Sequence, residues 1–229
     1  MILDIYKDSF EFASRKISIL LILGVLSFFN ILVIPLIFFC GYNYRVVKLS
    51  TESMINGEDV PPEFNDFKQM FMDGLKLIVV LLCYLIVPFI LIAISVSGNS
   101  VNVVLFLIGI ILLFVARLFS YLAIPHMAVN GDSFKSAFAL SEINSIMASI
   151  GYLRYIIFYV GLLLISCSIF VVVFLILSFI LAILGITVGG VYISLIGTIL
   201  INLVLLFIVS PYLSLFQNRC AGLVYNLGS

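Results

Sequence analysis

The chain has 229 residues, 64% of them hydrophobic and 10% charged, and a mean hydropathy of +1.35. Soluble domains carry about 25% charged residues, and a chain of this length encloses too little interior to hide so much apolar surface, so a water-soluble fold and a disordered chain are both excluded. Eleven Lys plus Arg balance eleven Asp plus Glu, which removes the electrostatic basis for binding nucleic acid.

Residues 1–16 mix Asp4, Lys7, Asp8, Glu11, Arg15 and Lys16 with Ile5, Phe10, Phe12 and Ala13. They read as a retained, weakly amphipathic N-terminal segment rather than a cleaved signal. Residues 17–40 carry no charge and form the first membrane segment. Asn30 and Pro35 fall inside it, and proline breaks the backbone ladder while asparagine can cap a break. The segment either crosses, which puts the N-terminus outside, or enters and returns on one side.

Residues 41–76 form a charged loop. Within it, residues 61–76 place Phe64, Phe67, Phe71 and Leu75 at helical spacing, which predicts a surface-lying amphipathic helix. Residues 77–124 hold two spans separated at Ser97-Gly98-Asn99-Ser100. Residues 125–154 form a second charged loop, with a second amphipathic helix over 132–150 capped by Asp132 or Ser133. Residues 155–212 hold two more spans, divided between Gly185 and Gly190, and residues 213–229 form a C-terminal tail. A span needs about 20 helical residues, and backbone polar groups in lipid must be paired internally. The predicted fold is therefore an all-α, polytopic transmembrane bundle. It has about five membrane segments, the first open to a re-entrant reading, plus two amphipathic helices on the cytoplasmic side. That side follows from Arg45, Lys48, Lys68, Lys76, Lys135, Arg154 and Arg219 in the charged stretches, against two short connections that carry no charge.

Three polar residues stand at membrane depth. Arg117 is the one cation inside a span, and snorkelling or an ion pair is weighed against an anionic-substrate or headgroup site. Asn30 and Asn202 read first as interhelical hydrogen-bonding residues and second as parts of a solute pathway. Arg45 can reach Asp66 or Asp73 across the inner surface. The lone His126 reads as an interfacial residue, and Cys40, Cys83, Cys167 and Cys220 as bland buried cysteines with no disulfide or zinc pattern. HExxH, GxSxG and P-loop patterns are absent, so neither an enzyme nor a cofactor is implied. Gly185-x-x-x-Gly189 matches a helix-packing motif but falls at a turn.

One stretch is more specific. Gly41-Tyr42-Asn43-Tyr44-Arg45 is followed by the acidic, proline-bearing run Gly57-Glu58-Asp59-Val60-Pro61-Pro62-Glu63-Phe64-Asn65-Asp66-Phe67, then by Phe71-Met72-Asp73-Gly74-Leu75-Lys76. Looser elements are Tyr121 to Pro125, Ser136-Ala137-Phe138 and Gly151-Tyr152-Leu153. The sequence resembles the domain-of-unknown-function 4013 family, found largely in archaea, with Phe67 where that family often has tryptophan. The resemblance implies an integral membrane protein and carries over no catalytic residue. It marks Gly41, Tyr42, Arg45, Asp66, Asp73 and Gly74 as a structural or interaction motif. The expected role is a non-enzymatic scaffold or assembly factor in the cell membrane, embedded in the lipid bilayer and meeting a protein partner at its cytoplasmic face. The alternative is a transporter or lipid-handling protein for a small solute or headgroup. A polar cavity reaching Asn30, Asn202 and Arg117 favours the alternative; a dry, filled bundle favours the scaffold.

Overall fold

A computed structural model describes residues 1–97, 100–183 and 191–229, with side chains given outside 183 and 191–196. The divisions expected at 98–99 and 185–190, and the Gly185/Gly189 pair, lie outside the described residues. The described residues are helical, in the order α1 (Ile2–Ser14), α2 (Ile17–Phe28), α3 (Val33–Thr51), α4 (Phe67–Val96), α5 (Val103–Val129), α6 (Phe134–Ala137), α7 (Leu140–Ile150), α8 (Tyr152–Ile183), α9 (Val191–Val204) and α10 (Ser210–Tyr225).

Among the described residues four helices are long and apolar enough to cross a membrane: α4, α5, α8 and the continuous run Gly197–Tyr225. In α4, α5 and α8 the most apolar stretch is 17%, 17% and 11% buried, against 39% in the last run. The last helix is therefore the axis of the bundle, and the other three present most of their surface to lipid. Between α9 and α10 the helix widens into a π-helical turn, Leu205–Val209. Pro211 follows directly and has no N–H to give to the Phe207 carbonyl, a usual setting for such a turn. The apolar stretch does not end at 212. Residues 213–225 continue as helix, with Leu215, Phe216, Arg219 and Cys220 fully buried. The tail expected over 213–229 is thus mostly core.

The first membrane segment is a hairpin. α2 has 12 residues, about 18 Å at 1.5 Å per residue, well short of a hydrocarbon core of about 30 Å. It breaks at Phe29 to Leu32, the position flagged by Asn30, and α3 returns. Arg15, just before α2, donates through Nη1 to the carbonyls of Gly57 (2.9 Å) and Asp59 (2.5 Å), in the loop after α3. Both arms therefore start and finish at the charged end of the bundle, which decides for entry and return against a crossing. The tip is apolar and exposed at Ile31, Val33 and Ile34.

The predicted surface helices change most. Residues 61–66 are not helical, since Pro61 and Pro62 cannot donate to a helical ladder. The helix starts at Phe67, capped by Asp66 (φ +46°), whose carboxylate accepts from the Gln69 N–H, and runs straight into the membrane as α4. Residues 132–150 divide into α6 and α7. α6 is held against α4 by Tyr84, whose hydroxyl donates to the Ala137 carbonyl (2.7 Å) while its ring stacks on Phe138. The amphipathic helix that packs most deeply is α1, with Ile5, Phe12 and Ala13 fully buried. Cys83 and Cys167 are exposed, while Cys220 is buried.

The hairpin sets a topology that labelling can read. With the four native cysteines replaced, L3C and E58C react with an impermeant thiol reagent from one side of the membrane, and S100C from the other. L3C reacting together with S100C would mean that residues 17–40 cross.

Candidate functional site

The charged end is held by ion pairs between distant segments. Arg219 of α10 is fully buried; its Nε donates to Asp8 Oδ1 of α1 (2.8 Å) and its Nη2 to Asp59 Oδ2 (2.9 Å). Asp8 is 1% exposed, and the guanidinium carbon lies 4.9 Å over the Phe12 ring. Burial pulls the Asp59 carboxyl up. Hydrogen bonds from Arg219 and Ser53, with the charges of Arg219 and Arg15, outweigh it and hold the group below the usual carboxylate range.

A second cluster ties α3 and α4 to the turn after α5. Lys48 Nζ donates to Asp132 Oδ2 at 2.6 Å and lies 3.7 Å from Asp73; Lys76 is 3.8 Å from Asp132, and the Tyr44 hydroxyl donates to Asp132 Oδ1 (2.7 Å). Asp132 is the hub of this cluster rather than a helix cap. Its carboxyl too is raised by burial but held below the ordinary value by Lys48 and Tyr44 hydrogen bonds and by the Lys48 and Lys76 charges. His126 is buried within the protein at the charged end: Nδ1 lies 2.9 Å from the Tyr225 hydroxyl and Nε2 3.1 Å from Glu142.

The six motif residues converge on this architecture. Gly41 and Gly74 face each other where α3 crosses α4; a Cβ on Gly74 would run into the Ile37 carbonyl, and one on Gly41 into that of Met70. Only glycine permits backbones to approach so closely. The buried Tyr42 donates to the Pro62 carbonyl (2.7 Å). Arg45 does not pair with a carboxylate; it donates to the carbonyls of Asn65 (2.6 Å) and Asp66 (2.8 Å). Asp73 is 1% exposed and accepts from Gln69 (2.9 Å) as well as facing Lys48. The motif fastens the 52–66 loop to α3, and α3 to α4.

The membrane-depth residues separate. Asn202 is exposed and donates to the Thr198 carbonyl of its own helix (2.8 Å). Asn30 sits at the hairpin break, its Oδ1 buried with no hydrogen-bond partner among the described residues. Arg117 lines a cavity of about 390 Å³ between α3, α4, α5, α8 and α10, whose described lining includes neither Asn30 nor Asn202. Its polar wall includes Asn43, Ser120, Ser210, Ser214, Gln217 and Asn218. Several are held in place: Ser214 donates to Asn43 Oδ1 (2.7 Å), Gln217 Nε2 to Ser166 Oγ (3.0 Å), and Tyr121 to the Gln217 carbonyl (2.7 Å). Among the described residues the lining holds no carboxylate, and the half-buried Arg117 side chain makes no ion pair or hydrogen bond. The missed polar residues had a signal. Ser210, Ser214, Gln217 and Asn218 recur at i, i+4, i+7 and i+8, a polar stripe continuing a membrane helix.

Among the described residues, four membrane-length helices, a hairpin whose first arm is too short to cross and a cavity with polar groups on its wall define a polytopic α-helical membrane protein. Residues 22–182 match the model of the family described as Protein of unknown function (DUF4013), and the chain belongs to that family. No curated protein and no solved structure matches it. The family match includes Arg117, Asn43 and the six motif residues, while Asp8 and Arg219 lie outside it.

Removing one partner of a buried ion pair strands a charge and costs about 3–5 kcal/mol. D8A lowers stability by about that amount in chemical unfolding, and D8A/R219M costs less than the two single changes added together. Additive costs would mean that the pair is not coupled. Asp59 and Asp132 both have folded values below their unfolded one, about 3.9. Their contribution is complete above that pH and fades as pH falls through the folded values. Stability therefore drops on acidification below about pH 4, and D132N flattens the drop.

Proposed function

We propose that the protein binds an anionic group, a phosphate or carboxylate, in the Arg117 cavity, and is a non-catalytic solute- or headgroup-handling protein of the membrane. The unpaired Arg117 on the wall of a carboxylate-free cavity of mixed polar and apolar lining carries this reading. A guanidinium in low dielectric is costly without a counter-charge. The bundle has carboxylates to spare and spends them elsewhere, on Arg219, Lys48 and Lys76. Arg117 is left open, and its planar fork suits a two-oxygen anion. The Asn43 amide supports it: its oxygen accepts from Ser214, which leaves the NH₂ as a further donor.

The scaffold alternative rests on polar surface gathered at one end. Part of that surface is engaged within the chain, through Arg45 with the 65–66 carbonyls and Asp132 with two lysines, while Glu58, Glu63, Lys68, Lys135 and Arg154 stay exposed. We place this end in the cytoplasm of a cell, by the distribution of Lys and Arg.

A ligand at one hundred times its Kd stabilises the folded state by about 2.7 kcal/mol. Glycerol phosphate or lysophosphatidylglycerol, added to the purified protein, raises the thermal unfolding midpoint. R117Q abolishes the rise, and R154Q, at an exposed position in the first turn of α8, keeps it. A rise with neither compound, or one that survives in R117Q, overturns the proposal.

A further inference from the structure

We infer that the anion is the head of a lipid, a single-chain anionic amphiphile whose acyl tail lies in a groove between α3 and α4. This rests on the Arg117 reading and names its ligand class. The groove has a volume of about 530 Å³ and an almost wholly apolar wall, including Leu36 and Cys40 of α3 and Leu82, Ile86, Ile90 and Ala93 of α4. Cys40 and Leu81 line both this groove and the Arg117 cavity, so the two spaces are neighbours.

The groove exists because the hairpin is short. α3 begins at Val33 and covers α4 only toward the charged end, with Gly41 on Met70 and Ile37 on Gly74. Beyond that crossing Leu82, Ile86, Phe89 and Ile90 are each more than half exposed. Spacing of four keeps Ile78, Leu82, Ile86 and Ile90 on one stripe of the helix. From Ile78 to Ala93 the stripe runs about 22 Å at helical rise. One leaflet is about 15 Å, half of a hydrocarbon core of about 30 Å, so the stripe accommodates one extended chain.

Polarity fixes the orientation. The cationic cavity lies toward the charged end and the groove leads from it toward the opposite end. A lipid in the leaflet at the charged end has its head and tail placed in that order. A second copy of the chain would cover the groove but would leave Arg117 unpaired; an anionic amphiphile satisfies both spaces with one molecule. The groove's width, one helix face beside one short helix, suits one chain rather than two.

The test is native mass spectrometry of the full-length protein released from detergent. It is titrated with lysophosphatidylglycerols of 8, 12 and 16 carbons, with 16-carbon lysophosphatidylcholine and with glycerol phosphate. The 16-carbon anionic lipid binds at least tenfold more tightly than the 8-carbon one and than glycerol phosphate. R117Q loses at least tenfold for the anionic lipid and little for the choline lipid. I86W and A93W remove the chain-length dependence and leave glycerol phosphate binding intact. The chain-length series in the wild type keeps the proposal testable if a tryptophan variant misfolds. Binding that needs Arg117 but ignores chain length overturns the groove and leaves the anion site standing. Lipid binding unchanged in R117Q overturns both. A dimer that excludes the anionic lipid assigns the groove to a second copy and overturns the proposal.

Discussion

A guanidinium sealed inside an apolar bundle cannot stand alone, and the rest of this structure is arranged around that fact. Arg219 sits on the axial helix with no exposed surface, and its counter-charges come from opposite parts of the chain: Asp8 from the first helix and Asp59 from the loop after the hairpin. The desolvation cost of such a cluster exceeds its Coulomb gain unless the geometry is closely set. The pairs therefore act less as a net source of stability than as a selection rule. Any packing that separates α1, the 52–66 loop or α10 strands a buried charge, and only one arrangement joins all three. Phe12 beneath the guanidinium, and Arg15 reaching the carbonyls on either side of Glu58, tighten the same junction.

That junction also accounts for the hairpin. Because α1 is bound to α10 and Arg15 to the loop beyond α3, the chain leaves and rejoins the same end of the bundle. A segment of 12 helical residues cannot span, so it turns where Asn30 and the residues after it interrupt the ladder. The Gly41–Gly74 crossing then presses the returning arm against α4 close to the charged end. The family motif thus serves architecture: its glycines set the crossing, while Tyr42 and Arg45 hold the loop that carries Asp59.

The spans were legible because charge-free runs of membrane length admit few other structures, and the break at Asn30 and the lone Arg117 were legible for the same reason: each departs from an otherwise apolar run. What was not legible depended on partners far away in the chain. Arg219 reads as a cation just past a span, which predicts a tail. Its partner Asp8 is 211 positions away, so nothing local announces that the helix continues as core. Arg45 reads as half of an ion pair, yet two carbonyls of a loop free of helix serve it equally well. Asn43, Gln217 and Asn218 fell in stretches assigned to the surface, so the wall of the cavity was divided among loop and tail until tertiary packing assembled it around Arg117.

The contrast between the buried Arg219 and the half-buried Arg117 carries the functional argument one step further. Arg219 and Arg117 both lie within the bundle, and the chain supplies eleven acidic residues. One arginine takes two of them, while the other faces asparagine, glutamine and serine. Neutral amides and hydroxyls do not discharge a guanidinium; they solvate it and leave its charge to be met from outside. A hairpin of full length would have closed the space beside α4 and left the polar cavity as an isolated void. Because it is short, Leu82, Ile86 and Ile90 of α4 stay exposed beside the cavity, with Cys40 and Leu81 lining both spaces. The same short hairpin that the Arg219 junction imposes thus leaves an apolar face of α4 uncovered next to the Arg117 cavity.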